Sequence, residues 1–461
     1  MRWKLLSGGG LAAAGLLLGA SPALAQSVDL DVVEVELLDR FSGAAVDVAQ
    51  TVILDNIFVF ICGVLVFFMQ LGFALLASGL TRAKNSANMM MKSLFDASLG
   101  VLVFALVGWG IAYPGGDGGG WFGFAGFGVP GLMDPLPDLA AFGEDFYPLS
   151  VSTDFFFQAA FAATAATIVA GAVAERTKFA AYIVYTILIT GLIYPVIVGW
   201  QWGGGWLAEQ GFEDFAGSGI VHMTGGVAAF MGALIIGARI GKYGPDGKPR
   251  AIPGHSMALA FTGVLILFIG WFGFNPGSAL QADMSVPIVA VLTLFAATSG
   301  AVGALVMGWI LLKKPDASMA GNGLLAGLVA ICSGVGVMEP QWVLVTGFVA
   351  GLLVVVSILV IERVAKVDDP VGASSVHGVC GFWGLLATGI FVADVSFGTQ
   401  LIGGLAILVF VAIAAGILFG VLKAINLLRV SPEEEALGLD TSEHGAPGYG
   451  PEMLTPASAS A

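Results

Sequence analysis

The chain has 461 residues, of which 57% are hydrophobic and 11% charged, against about 25% charged in an average soluble domain. An ordinary soluble globular protein is excluded, and the 67 glycines suit a membrane helix bundle, where small residues let backbones approach. The net charge of -14 is spread over loops and a tail rather than gathered in one run, so nucleic acid is not an expected partner.

Residues 1–25 carry Arg2 and Lys4, an apolar stretch, and Ala23-Leu24-Ala25 ahead of Gln26. That is the layout of a cleaved secretory signal peptide. A retained first helix is the alternative, because the apolar stretch is short for a span. Beyond it, runs long enough to cross a ~30 Å hydrocarbon layer fall near 57–80, 92–112, 153–174, 178–200, 218–240, 253–275, 284–312, 319–338, 341–361, 371–393 and 398–428. The expectation is therefore an all-α polytopic membrane protein with eleven transmembrane helices.

Alternate loops should collect the basic residues if this count is right. Arg82, Lys84 and Lys92 follow the first span, Arg176 and Lys178 the third, Arg239, Lys242, Lys248 and Arg250 the fifth. Lys313 and Lys314 follow the seventh, Arg363 and Lys366 the ninth, and Lys423 and Arg429 close the eleventh. Of the 18 basic residues only Arg2, Lys4 and Arg40 lie elsewhere. The amino terminus is then outside and the carboxyl terminus cytoplasmic, with the protein in the cell membrane, an inner membrane if the signal is that of a Gram-negative bacterium.

Residues 26–430 read as one membrane domain and 431–461 as a cytoplasmic tail. The 113–150 loop, rich in Gly, Asp and Pro, is an outer loop without a core of its own. Cys62, Cys332 and Cys380 sit in apolar runs and read as small buried hydrophobes. No metal or cofactor is expected, nor any enzymatic activity.

Two of the four histidines open apolar spans, in matching contexts. Asp214 lies eight residues before His222 in DFAGSGIVH, and Asp369 eight before His377 in DDPVGASSVH. Five spans separate the copies, and an odd number reverses orientation, so a five-plus-five inverted repeat is expected, with the eleventh helix peripheral. A pseudo-twofold axis in the membrane plane would bring the two imidazoles together. Sharing one ring proton, they form an uncharged polar pair suited to carrying a small neutral molecule or relaying a proton.

At DFAGSGIVH (214–222), GWFGFNPGSA (270–279) and DDPVGASSVHGVCGFWG (368–384) the chain resembles the ammonium transporters of the Amt/Mep/Rh superfamily, on the Amt side. The likeness continues through GLTRAKN (79–85), AERTKF (174–179) and the tail GLDTSEHG (438–445). It implies a homotrimer in which each subunit has eleven helices and its own narrow pore for ammonium or ammonia, with methylammonium as an analogue. By position in these motifs, Trp202 and Ser278 match an outer recruitment site, with the Asp214 carboxylate just behind it as a structural and electrostatic element. Phe161 and Phe274 match a stacked gate, Trp271 the pore wall near His222 and His377, and Asp369 an anchor for span ten. Gly372 departs from the pattern, since some bacterial relatives carry a second aspartate there.

Among other charges, Asp96 is expected to bond neighbouring helix groups, Glu175 and Arg176 to form an interfacial ion pair, and His255 to be structural. The resemblance also makes the tail regulatory, responding to a PII-type protein or to phosphorylation at Thr441 or Ser442. The plainer expectation is a solvated acidic tail around Glu433, Glu434 and Glu435. An ammonium sensor and an electroneutral ammonia gas channel are the alternative functions. A membrane cytochrome ligated by His222 and His377 is a rival of another class, but such bundles usually supply more histidines.

Overall fold

Apolar length dictates the architecture: among the described residues, ten helices are long and apolar enough to cross a membrane, and each coincides with a run read from the sequence. The structure, a computed structural model, describes residues 45–115, 120–134 and 148–450, with side chains from residue 50 onward. The expected signal segment at 1–25 and the end of the tail lie outside these residues. In chain order the helices are α1 (Ala45–Leu80), α2 (Ala83–Ala112), α3 (Val151–Ala172), α4 (Phe179–Trp200) and α5 (Ser218–Ile236). They continue as α6 (Met257–Gly277), α7 (Ser285–Leu312), α8 (Ala317–Ile331), α9 (Pro340–Ala365), α10 (Ser374–Phe391) and α11 (Phe397–Ala424). Two short tail helices, α12 (Pro432–Leu437) and α13 (Leu439–His444), close the order.

The eighth run departs from the expectation. Residues 319–338 read as a full span, yet α8 has 15 residues, roughly 22 Å of rise. The chain leaves the helix there because other partners claim its carbonyls: Ala216 N–H donates to Cys332 O at 2.7 Å and Phe215 N–H to Ser333 O at 3.1 Å. The end of the run thus becomes a seat for the loop that leads into α5.

α5 and α10, the repeat mates that carry the histidines, run antiparallel and cross at the centre of the bundle. A Cβ on Gly226 would lie 2.1 Å from the backbone nitrogen of Gly378, so this approach requires glycine at 226. Both helices also begin in the same unusual way. Gly217 (φ 100°) and Gly372 (φ 79°) hold left-handed backbone three residues after Asp214 and Asp369. Each entry then winds as a wide π-type turn, Ser218–Met223 and Ser374–Val379, with His222 and His377 inside it. The inverted repeat is therefore visible in backbone geometry as well as in sequence.

The basic loops meet at one end of the bundle, around a buried ion network. Arg82 Nε donates to Glu175 Oε2 at 2.6 Å, and Arg239 Nη1 lies 3.5 Å from Glu175 Oε1. Arg239 grips Asp368 through Nε (2.8 Å) and Nη2 (2.9 Å), the paired geometry a guanidinium offers a carboxylate. Arg176 is not the partner of Glu175, which corrects the expected pair. Its guanidinium donates instead to the carbonyls of Gly237, Ala174 and Asp368. Four inter-helix loops are thereby tied together.

The tail docks on this network, against the expectation of a solvated acidic segment. Glu435 is 2% exposed, accepting from Ile240 N–H at 2.7 Å and from Arg429 Nη2 at 2.8 Å. Leu439 N–H donates to Asn85 Oδ1 at 2.9 Å, and Asn88 N–H to Asp440 Oδ1 at 2.8 Å. Asp96 behaves as expected: its carboxylate accepts from the hydroxyls of Tyr182 and Thr186 on α4. His255 bonds Thr81 O and the Tyr449 hydroxyl.

Gly226→Val should force α5 and α10 apart and cost about 1–3 kcal/mol, the usual scale of overpacking. Thermal unfolding in detergent checks this against Gly420→Val, whose Cβ would meet nothing within 4 Å. The ion network predicts acid sensitivity. Burial pushes Glu175 and Asp368 up, but Arg239, with Arg82 at Glu175 and Arg176 at Asp368, outweighs it and holds both carboxyls below the usual range. Stability from these lowered carboxyls is complete above about pH 5 and lost progressively as pH falls from there through their folded-state values. Arg239→Ala should cost about 3–5 kcal/mol at neutral pH, because it leaves buried carboxylates unpaired.

Candidate functional site

Around the first half of α5, one line of rings runs from a surface cavity to the bundle centre. The cavity, about 400 Å³, is lined by Trp202, Ser278, Phe161, Phe157, Phe215, Trp109, Tyr113, Asp154, Gln158 and Leu280. Trp202 spends its indole N–H on the backbone oxygen of Asp214, at 3.0 Å, and its ring lines the cavity. Ser278, at the end of α6, donates its hydroxyl proton to Phe274 O at 2.8 Å. Its oxygen therefore offers lone pairs rather than a proton. An aromatic face and a hydroxyl acceptor together attract a cation that can donate hydrogen bonds.

Phe161 and Phe274 close the bottom of the cavity. Their centroids are 4.2 Å apart, and Phe161 meets Trp202 edge-on at 5.9 Å. Both phenylalanines are buried. Below them His222 stacks on Phe274 at 5.3 Å and on Trp271 at 5.2 Å. His377 follows, with its Nδ1 3.2 Å from His222 Nδ1. Two ring nitrogens at that separation share one proton, so the pair is joined by a single N–H···N bond. Beyond His377 a second space of about 30 Å³, lined by Phe73, Ser93, Thr167, Val371 and others, opens toward the basic end. That is room for about one water-sized molecule.

Every residue expected at the site falls on or beside this line. Trp202, Ser278, Phe161, Phe274, His222, His377 and Trp271 come together along it. Asp214 and Asp369 stand behind it as helix-entry caps. Asp214 Oδ2 accepts from Gly219 N–H and Ile220 N–H, both at 2.9 Å. It is absent from the cavity lining, and burial pushes its pKa up to about 7 against the N–H bonds from Ile220, Gly219 and Ser218. Asp369 repeats the arrangement: its oxygens accept from Gly372 N–H at 3.0 Å and Ser374 N–H at 2.7 Å.

Several contributors escaped the sequence reading, Phe215, Phe73 and Cys332 among them. Phe215 lines the cavity beside Asp214, and Phe73 approaches His377 at 6.2 Å. Neither stood out among 32 phenylalanines. Cys332, read as plain packing, lies 3.6 Å from His222 Nε2 and accepts the Trp271 indole N–H at 3.2 Å. Only the break of α8 at that residue could have marked it, and that break is tertiary in origin.

Residues 57–449 match the model of the Ammonium Transporter Family. The ammonium transporter Amt2 of Archaeoglobus fulgidus is 44% identical over 86% of this chain and 88% of its own length. Ammonium transporter 1 member 3 of Solanum lycopersicum is 36% identical over 86% of this chain and 93% of its own. Among solved structures, one titled Sensor Amt Protein superposes with TM-score 0.80 at 35% identity, covering 86% of this chain and 99% of that one. Mep2 of Candida albicans does so with TM-score 0.73 at 26% identity, covering 83% and 87%. The chain is a multi-pass membrane protein of the Ammonium Transporter Family and not an enzyme.

Proposed function

We propose that the protein moves ammonium into the cell by separating it from its proton. Ammonium is captured at the outer cavity by Trp202 and Ser278, loses a proton at or below the gate of Phe161 and Phe274, and crosses as ammonia along His222 and His377. It is reprotonated on the cytoplasmic side. The observation that carries this reading is the unbroken file Trp202, Phe161, Phe274, His222, His377, with an uncharged, hydrogen-bonded pair at its centre.

Charge and hydrogen bonding explain why such a path would select. Ammonium and potassium are similar in size, but potassium has no proton to donate or lose. Taking a permanent cation through the buried phenylalanines costs far more than taking a neutral molecule. The shed proton either returns outside, making transport electroneutral, or travels along water to the histidines, making it electrogenic.

The wider frame follows the same reading. The basic loops face the cytoplasm, the chain sits in the cell membrane behind a cleaved signal, and it works as one subunit of a homotrimer. The docked tail is regulatory, and its contacts with the start of α2 and the loop after α5 give a PII-type protein or phosphorylation something to release. Sensing of ammonium at the same cavity is the second reading, favoured by the likeness to a protein titled Sensor Amt Protein.

In proteoliposomes, a His222→Ala, His377→Ala double variant should lose the selective response to an ammonium jump while wild type keeps it. Unaltered ammonium selectivity in the variant refutes the histidines' role. Intact ammonium binding with no flux in wild type moves the reading to sensing. Asp214→Ala should cost about 1–2 kcal/mol in thermal stability, as a lost helix cap does. Asp214→Asn keeps an acceptor oxygen and should recover most of that loss; equal damage from both would show that the charge itself is needed.

A further inference from the structure

We infer that Cys332 is a positioning residue that decides on which nitrogen each histidine of the pair carries its proton. The inference deepens the transport reading above and rests on it for its functional consequence. The tautomers themselves follow from hydrogen bonds alone.

The chain of bonds starts away from the histidines. On α7 the Thr293 hydroxyl donates to Val289 O at 2.8 Å, so its oxygen can only accept from Asn275 Nδ2, at 3.0 Å. With its amide nitrogen so engaged, Asn275 turns its Oδ1 to Cys332 Sγ, 3.2 Å away. The thiol proton has two oxygen acceptors, Asn275 Oδ1 and Leu328 O at 3.1 Å, both nearer than His222 Nε2 at 3.6 Å. Trp271 Nε1, a donor only, points at the same sulfur from 3.2 Å.

The sulfur therefore presents lone pairs to His222 and no proton. A bond between them requires the proton to sit on His222 Nε2. Its Nδ1 is then bare and accepts from Nδ1–H of His377 across the 3.2 Å contact. His377 Nε2 is left as an acceptor. All these side chains are buried.

The pair consequently has a direction: an N–H at the His222 end and a bare nitrogen at the His377 end. Sulfur is a weak acceptor and the contact is long, so this N–H remains available to a passing molecule. Ammonia can accept from it through its lone pair. Ammonium and potassium have none, and an N–H dipole aimed at them is repulsive. Cys332 thereby makes the upper imidazole a filter for the deprotonated form.

The test is nitrogen NMR of the full chain in lipid bilayers with 15N-labelled histidine, alongside ammonium and potassium currents. Wild type should have His222 protonated at Nε2 and His377 at Nδ1. Cys332→Ala should give a mixture of tautomers at His222 and lower the ammonium-dependent response, in current or internal pH, about tenfold, the scale of one hydrogen bond. Cys332→Ser should preserve both. His222 protonated at Nδ1 in wild type overturns the assignment without any variant, as does a Cys332→Ala protein with unchanged tautomers. The expected tautomers with neither an ammonium current nor an ammonium-driven change of internal pH would uphold the assignment and sink the transport reading instead.

Discussion

Backbone contact between Gly226 on α5 and Gly378 on α10 is the constraint on which the rest depends. A side chain at Gly226 would push the helices apart, and His222 lies one turn before this glycine while His377 directly precedes Gly378. The crossing therefore presses the two imidazoles to 3.2 Å. The entries to both helices serve the same end. A carboxylate cap, a left-handed glycine and a π-type turn occur in that order in each copy, and together they aim one histidine from either side at the pseudo-twofold axis.

Once the pair is formed, its surroundings keep it neutral. Phe274 and Trp271 cover His222, and Phe161 covers Phe274. In so apolar a file a charged imidazolium would be costly, whereas a pair sharing one proton satisfies its inner nitrogens without charge. The cavity above has the opposite character, with an indole face and a hydroxyl acceptor open to a cation. The proposed change from ammonium to ammonia falls at the boundary between these two environments, which is where the free energy of a cation rises most steeply.

Much of this was legible in the sequence, for physical reasons. Histidine is rare inside apolar spans, and two copies in the same context eight residues after an aspartate betray both the repeat and the central pair. The periodic placement of Lys and Arg located the loops that the ion network ties together. What stayed hidden is equally instructive. Glu175 and Arg176 are neighbours in sequence, but Glu175, on left-handed backbone (φ 70°) in the turn after α3, pairs with Arg82, 93 residues away. α8 ends early because a loop from elsewhere claims its carbonyls. Glu435 looks solvated in a row of glutamates until Ile240 and Arg429 are seen to hold it. Cys332 gives no polar signal in an apolar run, and its importance arises only where Trp271, Asn275 and His222 converge on the sulfur.

The most direct measurement is the charge moved by purified wild-type protein in liposomes after matched jumps of ammonium and potassium, with internal pH followed in the same vesicles. Selection by deprotonation predicts an ammonium-dependent response, in current or in internal pH, that saturates as the outer cavity fills, and no movement of potassium at any concentration. A saturable potassium current of comparable size would contradict it, because potassium has no proton to leave behind.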